Sequence, residues 1–411
     1  MVLKCQKLTW LFYRMMTRMR AITQTPRKVL NTTALYYACF VMLGLSAASL
    51  GPNLPYLASN TQSTLKAVSI LLAARAFGYF LGALFGARLY DRLPGHSLIA
   101  AVFLVLAVCL SLIPLISILW VLAACLLLTG ILQSIIDSGT NTLLVWLHRE
   151  KVAPFMNGLH FAFGVGAFLM PIVIAQSTLQ LGSPAWAFWL IAFLALPLSL
   201  SFWRVPSPSR LEDSQGVGKV TQVNTTLALL IAGFLFFYAG IEISFGNWIY
   251  SYAIKRNIAD EITANYLTSA FWGTYTLGRL LTIPLAARLK PERLLWLCLI
   301  AAAFGVLPIL LMPESKTVLW LGSLWLGLSI AAIFPSIISF AERHMTIKGQ
   351  IMGIFFTGVS LGATTIPWII GQLFERIGPV VMLIAVSLSL IMSGLMLGLM
   401  VWKAGQKVRS T

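Results

Sequence analysis

The sequence predicts an all-α membrane protein with twelve transmembrane helices arranged as two six-helix, pseudo-symmetric bundles. Three observations carry that expectation: an apolar composition, a succession of apolar runs long enough to cross a bilayer, and a second half that repeats the first. Of the 411 residues, 59% are hydrophobic and 10% charged, against about 25% charged in a soluble domain. A chain so poor in polar side chains cannot cover a soluble globule of its own size. The formal net charge of +17 would suggest a polyanionic partner in a soluble protein. Here most of it falls in short segments between apolar runs, where it orients helices in a membrane. No nucleic-acid partner is therefore expected. The expected partners are the lipid bilayer and a small-molecule solute, and the chain is expected to be a monomer.

Residues 1–30 hold seven basic residues and no acid. They read as a basic cytoplasmic tail suited to anionic headgroups, since the apolar patch there is short and no small-residue cleavage site follows it. At roughly 20 apolar residues per crossing, twelve spans follow. They lie near 33–57, 66–89, 97–117, 119–147, 154–177, 184–203, 227–253, 263–287, 293–312, 317–339, 350–373 and 379–402. The first six make an N-terminal bundle over 31–203 and the last six a C-terminal bundle over 226–403. The longest polar interruption, Val205–Asn224, places a cytoplasmic linker at 204–225, and 404–411 form a second cytoplasmic tail. With the N-terminus inside, 22 of the 29 Lys and Arg fall in inner segments, and only Lys66, Lys255, Arg256, Lys316 and Arg376 in outer ones. That bias predicts both termini in the cytoplasm, with the chain in the cell (inner) membrane.

The halves align without gaps over one stretch. FMNGLHFAFGVGAFLMPIVIAQ at 155–176 matches IMGIFFTGVSLGATTIPWIIGQ at 351–372, an offset of 196. The match pairs Met156 with Met352, Gly166 with Gly362, Ala167 with Ala363, Pro171 with Pro367, Ile174 with Ile370 and Gln176 with Gln372. At an offset of 200, Gly78, Ala87, Arg88 and Leu89 meet Gly278, Ala287, Arg288 and Leu289. Glycine and proline recurring at matched places suit helices that approach closely and bend.

Four charged side chains are left inside the spans: Arg75, Asp137, Glu242 and Arg279. An ionisable group within a bilayer costs several kcal/mol unless it faces a cavity or a partner, so each marks a functional site by default. Asp137 lies about 15 Å of helix from its cytoplasmic end, near the midplane. It suits a proton acceptor or an acceptor for solute hydroxyls, and the plainer alternative is an ion pair with Arg75. Glu242 precedes Gly246, Asn247 and Trp248, and a carboxylate beside a glycine break suits a cation or a hydroxyl; its alternative is an ion pair with Arg279. Two acids against two arginines leave the cavity formally neutral, which suits a neutral solute. Asn141 and Asn157 offer donor and acceptor together, as a polyol requires, or interhelical glue. His160 suits a proton relay or a packed histidine. Trp248, Trp272, Tyr275 and Phe161 could stack on a ring face. Pro52 and Pro55 interrupt the first span and would free carbonyls to line a cavity. The five cysteines, Cys5, Cys39, Cys109, Cys125 and Cys298, show no CxxC spacing and read as small core residues. No metal and no cofactor are expected, since no Walker loop, HExxH, GxSxG or dinucleotide fingerprint occurs.

Two parallel six-helix repeats resemble the major facilitator superfamily, which implies a solute site at the midplane between the halves. The loop GARLYDRLPGH, residues 86–96, resembles that family's loop signature, with Ala87, Asp91, Arg92 and Gly95 in its places and one extra residue before the last glycine. The resemblance implies that Asp91 and Arg92 latch the halves together on the cytoplasmic side. More narrowly, Asp137, Asn141 and Asn157, with AGIEISFGNWIYSYA at 239–253 and LTSAFWGTYTLGRLL at 267–281, resemble the fucose permease branch and its sodium-dependent glucose transporter-like relatives. One departure is plain. Fucose permease carries a second acid in its first helix, whereas Ser49–Pro55 here, SLGPNLP, has no carboxylate and resembles the glucose-transporter-like relatives.

The function implied is secondary active transport of a small polar solute, a sugar or polyol, by alternating access, with coupling to H+ or Na+. The alternative within transporters is an efflux carrier, an antiporter for amphipathic compounds or drugs; FAFGVGAFLMP has the glycines of such carriers' fifth helix without their adjacent Gly-Pro. A non-transporting scaffold would not need four internal charges. No nucleophile–base pair points to an enzyme.

Overall fold

The computed structural model describes residues 26–90, 92–209, 225–286, 288–345 and 349–409. Among them there is no strand, and fourteen α-helices make twelve crossings. The N-terminal half holds α1 (Arg27–Ala48), α2 (Leu50–Asn60), α3 (Leu65–Tyr90), α4 (Gly95–Leu112), α5 (Leu119–His148), α6 (Val152–Leu181) and α7 (Ala185–Arg204). The C-terminal half holds α8 (Thr225–Lys255), α9 (Glu261–Ala286), α10 (Pro291–Leu311), α11 (Lys316–Ile330), α12 (Ile333–His344), α13 (Gly349–Phe374) and α14 (Val381–Arg409).

Eleven described segments are long and apolar enough to cross a membrane. The remaining crossing, α9, carries Asn265, Thr268, Ser269, Thr276 and Arg279. Its polar side chains need protein neighbours, and α9 packs on α6, α8 and α11. Two crossings are broken. Both breaks fall just after the fourth residue before a proline or on it, because Pro52 and Pro335 lack the N–H that the carbonyls of Ala48 and Ala331 would accept. Beside the first break Ser49 Oγ donates to the Ser46 carbonyl at 2.8 Å and Asn53 Nδ2 to the Ser49 carbonyl at 2.8 Å. The carbonyls that Pro52 and Pro55 free are those of Ala48 and Gly51. The ends differ too: the first helix starts at Arg27 and the last runs to Arg409, so both expected tails begin as helix. Most of the linker and the first 25 residues lie outside the described residues.

Because each half crosses six times, the described residues Arg27, Arg204, Thr225 and Arg409 share one end of the molecule, here the terminus end. The repeated glycines show why the halves look alike. A side chain at Gly166 on α6 would sit 2.8 Å from the Leu45 nitrogen of α1, and one at its mate Gly362 on α13 would sit 2.7 Å from the Phe236 carbonyl carbon of α8. Likewise Gly78 on α3 faces the backbone of Leu127 on α5, and Gly278 on α9 faces Leu328 and Ala331 on the α11 crossing. Where backbones pack this closely, dispersion contacts replace the hydrophobic effect that lipid cannot supply.

That contact predicts a contrast. Gly130 on α5 packs directly on the Arg75 carbonyl, whereas Gly353 has nothing within 4 Å. Gly130→Leu is expected to lower the stability of detergent-purified protein by about 3 kcal/mol or to prevent folding, while Gly353→Ala stays within about 0.5 kcal/mol. Thermal unfolding followed by size-exclusion chromatography measures both.

Candidate functional site

The tight α3–α5 crossing positions the first polar cluster. Gly78, Gly82 and Gly130 let the two backbones meet, and this brings Tyr79 of α3 against Asp137 of α5. The Tyr79 hydroxyl donates to Asp137 Oδ2, and Asn141 Nδ2 donates to Asp137 Oδ1 at 2.9 Å and to its backbone carbonyl at 2.9 Å. Both carboxylate oxygens thus accept from neutral donors. One turn away on α5, Gln133 donates through Nε2 to Ser46 Oγ of α1 at 2.5 Å. Gln133, Asp137 and Asn141 form one polar stripe at four-residue spacing.

Arg75 does not pair with Asp137. Among the described residues the only ion pair within 4.0 Å is Arg256–Glu314, at 3.9 Å and on the surface. Arg75 lies one turn from Tyr79 and acts on it electrostatically, yet its Nε is buried without a hydrogen-bond partner. An unpaired buried donor on a cation is costly and marks a place where something else can bind.

The second cluster lies on α8 and α9. Arg279 Nη2 donates to Tyr275 Oη at 2.7 Å and its guanidinium lies over the Tyr275 ring, 4.6 Å from the centroid. Tyr275 Oη in turn meets Tyr238 Oη at 3.1 Å. Glu242 acts electrostatically on Tyr238, Tyr275 and Arg279. The alternative of a direct Glu242–Arg279 ion pair is therefore corrected: two tyrosine hydroxyls stand between acid and base. The alternative of an Asp137–Arg75 ion pair is not formed either, and Tyr79 bonds the carboxylate instead. A turn from Tyr275, Trp272 is buried with its indole Nε1 unpartnered.

The two halves meet along α6 and α9, along α3 and α13, and along α2 and α8. At the end away from the termini, Gln176 Nε2 donates to Tyr266 Oη at 2.7 Å and Ser269 Oγ to the Phe168 carbonyl at 2.6 Å. Phe168 also packs on Gly273, and Gly164 on Thr276. The next turns of α6 on that face carry His160 and Asn157, both exposed. His160 stands edge-on to Phe40 at 5.7 Å and within electrostatic reach of Arg279. Their repeat mates on α13, Phe356 and Gly353, are exposed as well. Along α6 the halves are in contact from Gly164 to Gln176, and nearer the terminus end the facing residues of α6 and α13 are exposed.

Other expected site residues fall elsewhere. Trp248 is fully buried, donates Nε1 to the Pro367 carbonyl at 3.0 Å and stacks on Phe374 at 4.8 Å. Asn247 is buried at the closed end, where Gly51 of α2 approaches its backbone, and donates Nδ2 to Ile243 at 2.8 Å. Arg92 is exposed in a turn, its N–H bonded to Leu89 at 3.1 Å, and Asp91 lies outside the described residues. Sequence reasoning passed over Tyr79, Tyr238 and Gln133. The available signal was spacing: each stands four residues from a charged residue, namely Arg75, Glu242 and Asp137.

Two charged clusters inside the spans, one in each half of a duplicated twelve-helix chain, fit a membrane carrier. The chain belongs to the major facilitator superfamily, whose family model matches residues 36–367, and it is accordingly a multi-pass transport protein and no enzyme. It is 31% identical over 374 residues to the sodium-dependent glucose transporter 1A of Mus musculus, covering 82% of this chain and 88% of that one. It is 29% identical to the sodium-dependent glucose transporter 1 of Homo sapiens, over 82% of this chain and 72% of that one. In fold it is similar to a bacterial homolog of the human lysosomal transporter Spinster, solved inward-facing and unoccupied. That match has a TM-score of 0.74 at 11% identity, over 94% of this chain and 98% of that chain. A D-xylose-proton symporter gives a TM-score of 0.73 at 12% identity, over 90% and 97%.

The tyrosine bridge yields a second prediction. Tyr275→Phe removes the acceptor of a charge-assisted bond, and about 2 kcal/mol of stability is expected to go with it. Thermal unfolding of the variant reads the loss, and Arg279→Met in the Tyr275→Phe background should cost less than it does alone.

Proposed function

We propose that this protein is a secondary transporter of a hexose or related polyol, driven by Na+ or H+ and working by alternating access. The observation that carries the reading is the neutral donor set around Asp137, in a membrane interior whose two acids and two arginines balance. Relatives named sodium-dependent glucose transporter support the solute class. With the termini in the cytoplasm, as the Lys/Arg bias favours, the open gap is inward-facing.

In this reading Asp137 is the coupling group. A cation arriving at Oδ2 competes with Tyr79, whose freed hydroxyl turns to the solute. Asn141 holds the other oxygen in place. Arg75 Nε and Trp272 Nε1, both unpartnered, supply donors for solute hydroxyls, and Asn157, His160 and Arg279 line the open side. Glu242 keeps Arg279 neutralised through the tyrosines. Asn247 and Trp248 serve closure of the far end, and Asp91 and Arg92 would latch the terminus end when it closes.

Proteoliposome uptake tests the reading. A hexose from a panel including D-glucose should accumulate above its equilibrium level under an imposed Na+ or H+ gradient. Folded protein that moves no hexose under either gradient would refute it. Asp137→Asn is expected to reduce gradient-driven accumulation by about tenfold or more, equivalent to ~1.4 kcal/mol of coupling, while solute exchange at equal concentrations persists.

A further inference from the structure

The closed end of the cleft is built twice from the same parts. Gln176 and Gln372 are repeat mates 196 residues apart, and each crosses to the opposite half. Gln176 of α6 donates to Tyr266 Oη of α9 at 2.7 Å. Gln372 of α13 donates to the Lys66 carbonyl of α3 at 3.2 Å and to Ser69 Oγ at 3.1 Å. The receiving positions are repeat mates as well: 66 and 266, 69 and 269, at the same 200-residue offset as Gly78 and Gly278. Ser269 Oγ bonds the Phe168 carbonyl of α6 at 2.6 Å, and Ser69 packs directly against Gly371 of α13.

We propose that Gln176 and Gln372 form a duplicated latch that sets the balance between the closed and open far end, making them positioning residues for transport. The chemistry suits a contact that must break in every cycle. A neutral amide bond within a membrane protein is worth little, about a factor of three each, so the two together bias the equilibrium without locking it. A charged pair in their place would hold more tightly and cost more to separate. Placing one glutamine on each side of the pseudo-twofold axis closes the end evenly, and a rocking motion separates both at once. The proposal rests on the alternating-access reading, but not on the solute being a sugar.

Distances between spin labels at Ser117→Cys and Glu375→Cys, both exposed at the far end of opposite halves, test it in full-length protein with the five native cysteines replaced. Gln176→Ala and Gln372→Ala should each raise the ratio of long to short distances about threefold. The double variant should raise it about tenfold, because the sites act independently. Tyr266→Phe removes only the acceptor hydroxyl; it should match Gln176→Ala and add nothing to it. A double variant that is folded and keeps the parent distance distribution would overturn the latch, whatever its melting temperature. So would Tyr266→Phe and Gln176→Ala effects that add. The readout needs no solute, so failure of hexose transport leaves the latch standing, and failure of the latch leaves the transport reading standing.

Discussion

Lipid cannot solvate an ion, and that constraint organises the middle of this protein. Arg75, Asp137, Glu242 and Arg279 are tolerated only where protein groups replace water. The replacement is mostly by tyrosine: Tyr79 at Asp137, and Tyr238 with Tyr275 between Glu242 and Arg279. A phenol is long enough to reach across a helix crossing, presents an apolar ring to its neighbours, and both donates and accepts. It separates acid from base without leaving either bare. Charges held apart in this way stay available to a passing solute or ion, which a closed ion pair would not be.

Helix contact has a different origin. Where every outward surface is already apolar, burial against a neighbour gains little over lipid, and close backbone approach takes its place. The repeated glycines at 78 and 278, and at 166 and 362, therefore do the same work in each half. They bring the helices of one half into backbone contact. Contact between halves at the far end adds amide and hydroxyl bonds to close packing of the same kind.

Much of this was legible in the residues. The twelve crossings, the duplication and the four internal charges follow from hydropathy and identity alone. So did the association of Asn141 with Asp137, which is set by a four-residue step on one helix. The partners across helices were not legible. An ion pair with Arg75 was one of two readings of Asp137, and Tyr79 takes that contact instead. Trp248, one of four aromatic side chains that could stack on a solute ring, turns instead into the packing against Pro367 and Phe374. The breaks were also shifted: a proline disrupts the helix a turn before itself, so Ser49, and not Pro52, ends the first segment.

By itself the sequence determined what is local or additive. Span length, charge bias and repeat spacing depend on one chain segment at a time, and the bilayer reads each segment directly. Only the tertiary structure decided which face of each helix meets which neighbour. That choice depends on rotation about helix axes that are apolar nearly all round, and hydropathy does not discriminate between rotations of such a helix. The close fit of glycines against opposing backbones makes the selection, and with it the partners of Asp137 and Arg279 and the end at which the cleft is shut.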